Sequence, residues 1–513
     1  MIKENTWKQS ISSFLHPRVI TMLFFGFSAG IPILLIFSSL SLWLREAGVE
    51  RSQVTFFSWA ALGYSFKFIW APLVDKLPIP YLTNKFGRRR SWILFSQFSI
   101  MTAIILMAIT DPIQGTNQLT LIALGAVLLG FSSATQDIVI DAYRIESAGD
   151  ELQAMMSSSY IAGYRIGMIV AGAGALFLAS SFGSDMNNYN YLAWRNSYFI
   201  MAATMLIGVF TTLAIKEPKI NNDNFKAYNT KNYLGFILVF IIAIIGFVGT
   251  FYFTKDISNL FRDELKEIFH NKHLSSLIIE AVRLLLALIV AFIFTKITLL
   301  TNLVNKKMVK QTYFEPILDF FDRYGKSAAI ILLCLIGLYR ISDIVLGVIS
   351  NVFYQDIGFS KIEIASIVKT FGLIMTLAGG FLGGILSNRF GVIRILFLGA
   401  VLSSATNLLF MLLANIGYNI PMLYLVISAD NLSAGLASAA FIAFLSSLTN
   451  IKFTAVQYAI FSSLMTLIPK VFGGYSGTIV DGFGYQIFFL ITTVIGIPVL
   501  GIIWLADKKL KKN

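Results

Sequence analysis

Asp137 and Asp141 lie four residues apart in an apolar stretch running from Leu119 to Tyr143. A charge at the centre of a bilayer costs about 2.5–3.5 kcal/mol on insertion scales. Further charges interrupt other apolar runs: Lys67, Arg165, Arg340, Asp343, Lys369, Asp430 and Lys470. Such charges on separate helices are tolerated when they face one another or a polar cavity rather than lipid. Residues at i and i+4 share one helix face. Two carboxylates on a shared face in low dielectric do not both stay ionised cheaply, so the pair suits a group that takes up and releases a proton. Asp137 is the deeper of the two and has Gln136 beside it. Two readings stand for Asp141: second member of the proton-coupling pair, or partner of Arg144 or of Arg88, Arg89 and Arg90 in a gate. Arg340 and Asp343, at i and i+3, form either a fixed ion pair or one that opens on protonation. Asp430, followed by Asn431, is a further proton-site candidate.

Lys67, Arg165, Arg340, Lys369 and Lys470 outnumber Asp137, Asp343 and Asp430, so a cavity lined by them is net positive. That balance suits an anionic substrate, and arginine offers carboxylate or phosphate two parallel hydrogen bonds. These five cations, with Gln136 and Asn431, are the candidate substrate contacts. Cleavage chemistry is not indicated. Cys334 is the only cysteine, which rules out an intrachain disulfide, and the three histidines (His16, His270 and His273) lie outside the apolar runs. No glycine-rich phosphate loop with its lysine occurs. The sequence therefore reads as non-enzymatic, with no cofactor and no metal, and any uphill work is driven by an ion gradient.

The elements that position these charges are membrane spans. The chain has 513 residues, 56% of them hydrophobic, and a mean hydropathy of +0.74. About fourteen apolar runs are each long enough to cross a bilayer, which takes about 20 residues. The fold class is all-α integral membrane. Residues 1–215 hold six spans, 216–326 an insert with two more, and 327–513 six more with a basic tail. The net charge of +13 sets topology rather than marking a nucleic-acid partner: with the N-terminus inside, most Lys and Arg fall on the inner side. Both termini are then cytoplasmic, and the first run reads as an uncleaved signal anchor.

The halves echo each other. Asp75 and Lys76 close the second span, and Gly87 to Arg90 open the third. Gly384 to Arg394, with Asn388, Arg389 and Gly391, sit at the equivalent place in the second half. Asp75, Arg88, Arg89, Arg90, Asn388 and Arg389 are therefore candidate gating residues. Glycines four apart (Gly26 and Gly30, Gly163 and Gly167, Gly379 and Gly383, Gly473 and Gly477) predict close helix packing. Pro32, Pro469 and Pro498 predict kinks. In the insert, Glu280 and Arg283 read as a structural pair, His270 and His273 as loop histidines beside Asp263 and Glu267, and Glu315 to Asp322 as a short interfacial helix.

Several of these segments resemble the AmpG-type muropeptide permeases, a branch of the major facilitator superfamily. They are Gly26 to Pro32, Tyr64 to Asp75, Phe86 to Trp92, the Gln136-Asp137-x3-Asp141 stretch, Gly163-Tyr-Arg165-Ile-Gly167, Lys369 to Gly372 and Asn431 to Gly435. The likeness runs from His16 to Leu505 and is weakest across the insert. It implies the superfamily's two six-helix bundles plus two inserted helices. It also implies import of anhydromuropeptides with protons across a bacterial inner membrane, by a monomer. Asp137 and Asp141 fall where that family carries its acidic pair. Arg340, Asp430 and Lys470 depart from the expected lysine, glutamate and arginine, which leaves open another organic anion such as acetyl-CoA or a sugar phosphate.

Overall fold

The computed structural model describes residues 12–49, 64, 66–185, 188–218, 230–269, 272–301, 305–360, 363–473 and 476–511. Among the described residues every regular element is helical, and twelve helices are long and apolar enough to cross a membrane. Two runs expected from the sequence are not among the twelve. The run at 54–74 lies largely outside the described residues, and the run at 275–299 contributes only a shorter apolar helix, Leu285–Leu300. Packing divides the chain into two units, Met1–Ile220 with Phe320–Asn513, and Asn221–Asp319.

The first unit opens with α1 (Pro17–Leu34), which passes through a π-helical turn at Leu35–Ser39 into α2 (Leu40–Glu46). Pro32 lies inside α1 just before that widened turn; it has no amide hydrogen to give the helix ladder. A tight turn at Lys67–Ile69 leads into α3 (Ala71–Lys76). Then follow α4 (Arg88–Ala108), α5 (Thr116–Ser147) and α6 (Asp150–Ile169). A second π-helical turn joins α6 to α7 (Ala175–Ser181), and α8 (Tyr191–Thr204) and α9 (Leu206–Ala214) complete this half. The Asn190 side chain accepts from the amides of Leu192 and Ala193, which starts α8 at that residue.

The second unit contains α10 (Thr230–Phe253), α11 (Lys255–Phe269) and α12 (Lys272–Leu300). The stretch between the two inserted runs, read from sequence as a loop, is thus helical over Lys255–Phe269. His270 lies outside the described residues, as does the His273 side chain. The segment read as a short interfacial helix is helical, and a non-helical Gly325 (φ 71°, ψ 155°) separates it from the rest of α13 (Glu315–Leu338). The chain continues through α14 (Ile341–Asp356), a π-helical stretch at Ile364–Phe371 and α15 (Gly372–Phe390). It ends with α16 (Val392–Ile416), α17 (Ile420–Leu448), α18 (Thr454–Gly473) and α19 (Ser476–Leu510).

Glycine sets the tightest packing. A methyl group on Gly26 would meet the Tyr160 carbonyl oxygen at 2.0 Å, and one on Gly163 would meet that of Leu23 at 1.9 Å, so α1 and α6 touch backbone to backbone. In the second half a methyl group on Gly379 would meet the Leu432 oxygen at 2.0 Å, which seats α15 on α17. Gly473 and Gly477 do not repeat this device. Gly477 belongs to the next helix and has open space around its Cα. Gly87 and Gly391 cap α4 and α16 with φ of 87° and 91°, a left-handed conformation that glycine adopts without penalty. The echo between the two loops is therefore one of shape. Within the first unit, to which Phe320–Asn513 belongs, the halves meet where α6 packs on α15 and α17, and where α18 packs on α3 and α5.

Candidate functional site

The π-helices, breaks and close packing above bring the charged residues into two neighbouring groups. In the first, α5 presents Asp137 and Asp141. Lys67, 8% exposed, comes within 3.9 Å of Asp141, and Arg144 within 3.4 Å of the other Asp141 oxygen. Asp137 is held differently: it accepts a hydrogen bond from the Tyr160 hydroxyl at 3.1 Å. Lys67, Asp141, Tyr64 and Tyr164 are within electrostatic reach, but no described cation lies within ion-pair distance of Asp137. It can therefore accept a proton without stranding a bonded cation, whereas Asp141 cannot. Tyr458 of α18 faces both carboxylates from the other half, with the Arg144 guanidinium 5.2 Å from its ring centroid.

In the second group the helix is broken at Arg340. α13 stops at Leu338 and α14 starts at Ile341, leaving Arg340 in a non-helical conformation (φ −99°, ψ 15°). Carriers use such discontinuities to aim binding groups at the membrane midplane. Arg340 sits 3.6 Å from Asp343, which also accepts a hydrogen bond from Ser403. Asp430 lies beside Thr406 and within electrostatic reach of Asp343, Arg340 and Tyr354. From the other half, Arg165 lies within electrostatic reach of Arg340. Among the described residues Arg165 has no carboxylate partner, and its guanidinium rests 3.8 Å from the Met168 sulfur.

Other expected contacts fall elsewhere. Gln136 turns into the interior of the first half, where it donates to Ser28 at 3.1 Å; its buried side-chain oxygen has no partner among the described residues. One residue along a helix rotates a side chain by about 100°, enough to take Gln136 off the Asp137 face. Asn431 is engaged locally, accepting from Thr376 at 2.9 Å and donating to the Ile427 oxygen at 3.1 Å. Lys369 is exposed on the π-helical stretch before α15. Lys470 follows Pro469 in α18, and its side chain lies outside the described residues.

The candidate gate at the end carrying Arg88–Arg90 is tied across the halves. Asp75 binds Arg89 at 2.8 Å and Arg88 at 3.7 Å. Glu146, with a fully buried side chain, accepts from Arg88 at 3.2 Å, from Arg89 and from Thr454 of the second half at 2.8 Å. Arg144 donates to Ser446 at 2.7 Å, Ser158 to the Gly380 oxygen at 2.7 Å, and Asn388 to the Glu151 oxygen at 2.7 Å. Arg90 stands apart from Asp75. It caps the end of α9, donating to the Thr212 and Leu213 oxygens, while Glu217 accepts from the Arg89 and Arg90 amides. Arg389 lies over the Phe390 ring, 5.2 Å from its centroid.

Sequence reasoning missed Tyr160, Tyr458, Glu146, Ser446 and Thr454. The tyrosines have the spacing of ordinary core aromatics. Glu146 carried a usable signal, an acid at the end of a span opposite a run of arginines.

Comparison with known proteins identifies the family of the chain. Residues 19–307 and 328–513 match the family described as Major Facilitator Superfamily. A Rickettsia conorii protein named as transporter AmpG 4 is 29% identical over 96% of this chain and 97% of its own length. The Escherichia coli K12 anhydromuropeptide permease is 27% identical over 96% of this chain and 80% of its own length. Two solved structures share the fold. FucP in its outward conformation has a TM-score of 0.60 at 12% identity, covering 96% of this chain and 99% of FucP. The proton:xylose symporter XylE has a TM-score of 0.55 at 13% identity, covering 97% of this chain and 96% of XylE. With this match over nearly its whole length and an architecture of membrane-crossing helices, the chain belongs to the Major Facilitator Superfamily of transporters.

Proposed function

We propose that this transporter imports anhydromuropeptide-like anions by proton symport with alternating access, as a monomer in a bacterial inner membrane with both termini cytoplasmic. The observation that carries the reading is that Arg165 and Arg340, one from each half, lie within electrostatic reach of each other. Two like charges in a low-dielectric site repel, and an anion seated between them converts that repulsion into charge-assisted hydrogen bonding. An anion bound there draws the halves together, which is the coupling that alternating access requires. The name of the E. coli relative supports the substrate class. Lys67 and Lys369 extend the positive surface for further substrate carboxylates, and Lys470, whose side chain lies outside the described residues, stays a candidate contact from the sequence alone.

Asp137 is the proposed proton carrier. Asp141, held by Lys67 and Arg144, connects it to the gate, because Arg144 also reaches Ser446 in the other half. Asp343 and Asp430 form a second acidic pair beside Arg340 that tunes the anion site. The division into bundles at 1–215 and 327–513 around the insert at 216–326 is part of the same proposal. The test is counterflow in proteoliposomes with one purified anhydromuropeptide at two pH values. Exchange of the muropeptide but not of acetyl-CoA or a sugar phosphate supports the reading, and exchange of acetyl-CoA or a sugar phosphate alone overturns the substrate assignment.

A further inference from the structure

Tyrosines surround Asp137, and they are not equivalent. Tyr64 gives its hydroxyl to Ser133 at 2.6 Å. Tyr458 lies with its ring against the Arg144 guanidinium. Tyr164 is within electrostatic reach of Asp137 and makes no hydrogen bond to it among the described residues. Tyr160 is the described residue whose side chain donates to the Asp137 carboxylate, at 3.1 Å. Its place is fixed from behind by the glycine seam between α1 and α6. A methyl group on Gly26 would meet the Tyr160 carbonyl oxygen at 2.0 Å, and one on Gly30 would meet that of Tyr164 at 2.1 Å. The Tyr164 ring stands beside that of Tyr160, with centroids 6.2 Å apart. The two closest backbone contacts of α1 thus fall on the two α6 residues nearest the proton site. Both Asp137 and Tyr160 are half-buried, so the bond between them borders the cavity rather than the core.

We infer that Tyr160 is a positioning residue for the coupled proton, its hydroxyl setting the pH at which Asp137 lets that proton go. The inference rests on the reading of Asp137 as the proton carrier. A hydroxyl donor favours an ionised carboxylate over the neutral acid. Once the carboxyl is neutral the same bond is about half as strong. Tyr160 therefore works against protonation and helps release, which a carrier needs if it is not to keep its proton at the inner face. The other groups facing Asp137 leave this role to Tyr160. Lys67, from the turn before α3, brings a positive charge, and Asp141, on α5 itself, brings a negative one that opposes it. Tyr64, Tyr164 and Tyr458 add no charge. The charge-assisted and neutral bonds differ by an amount equivalent to about one pH unit.

The experiment uses the full chain in proteoliposomes. Uptake of labelled anhydromuropeptide is driven by a constant pH difference while both sides are stepped together from acid to alkaline pH. Each variant is scaled to its own maximum, so the midpoint does not depend on the amount of active protein. Tyr160→Phe keeps the ring and removes the donor, and its midpoint should move about one unit to higher pH. Fluorotyrosine in place of Tyr160, a stronger donor, should move it to lower pH. Tyr164→Phe removes the same group one turn along α6 and should leave the midpoint in place. A Tyr160→Phe midpoint at the parent value, or an equal shift in Tyr164→Phe, overturns the inference. If Tyr160→Phe shows no uptake at any pH, the fluorotyrosine protein decides, and a midpoint that does not fall overturns it. Asp137→Asn in the same vesicles keeps the two claims apart. Accumulation at the parent level in that variant removes Asp137 as carrier, whereas lost accumulation beside an unmoved Tyr160→Phe midpoint removes Tyr160 alone.

Discussion

Thr454→Val should loosen the closure of the end carrying Arg88–Arg90. The substitution keeps the side-chain shape and removes one donor, the hydroxyl that reaches Glu146 across the halves at 2.8 Å. A hydrogen bond to a charged group contributes about 1.5–3 kcal/mol. Glu146 keeps Arg88 and Arg89 when the halves part, so the low end applies. About 1.5 kcal/mol shifts the closed-to-open equilibrium about tenfold. Ser446→Ala removes the matching charge-assisted bond from Arg144. If the two add, the double variant shifts the equilibrium about a hundredfold. The assay is maleimide labelling of Ser158→Cys in a Cys334→Ser background. Ser158 is 2% exposed and pressed against α15, where a methyl group on Gly384 would stand 2.6 Å from its hydroxyl. Its labelling rate therefore reports the open fraction. Rates that stay within twofold of the parent in monodisperse protein would refute the claim that these bonds latch the halves.

Arg165→Gln should weaken substrate binding about 10- to 150-fold, the loss of about 1.5–3 kcal/mol from a charge-assisted contact, read as Kd by isothermal titration calorimetry. Glu217→Ala should lower thermal stability, since it removes the carboxylate that accepts both amides at the start of α4. Such a cap is worth about 0.5–2 kcal/mol, and Glu217→Gln should recover part of the loss in a melting experiment. Gly163→Val should prevent assembly of the first half, because its Cβ would stand 1.9 Å from a backbone oxygen of α1; the readout is the yield of monodisperse protein. Gln136→Leu should leave substrate affinity unchanged, since Gln136 points into the first half rather than toward Asp137.

What could be read from the sequence was what the bilayer enforces. Apolar runs, the basic side and charges stranded in spans are constraints that lipid imposes residue by residue, so Asp137, Arg165 and Arg340 stood out without coordinates. What could not be read was direction. Gln136 and Asp137 are adjacent in sequence and face different environments. The break at Arg340 has no proline to announce it, and only the conformation of Tyr339 and Arg340 reveals it. α11 is too polar to register as a span, so a reading led by long apolar runs passes over it, although Ile257, Leu260, Phe261 and Ile268 keep a helical spacing. The gate was half legible: Asp75 and the arginines were visible as a duplicated loop, but Thr454 and Ser446 are unremarkable residues made important by what packs opposite them.

The central claim is that Asp137 carries the coupled proton while the Arg165–Arg340 site holds the anion. The most direct measurement is uptake of labelled anhydromuropeptide into proteoliposomes bearing Asp137→Asn, with and without an imposed proton gradient, beside counterflow in the same vesicles. The account predicts counterflow that persists and gradient-driven accumulation that is lost. Accumulation at the parent level under the proton gradient would contradict it.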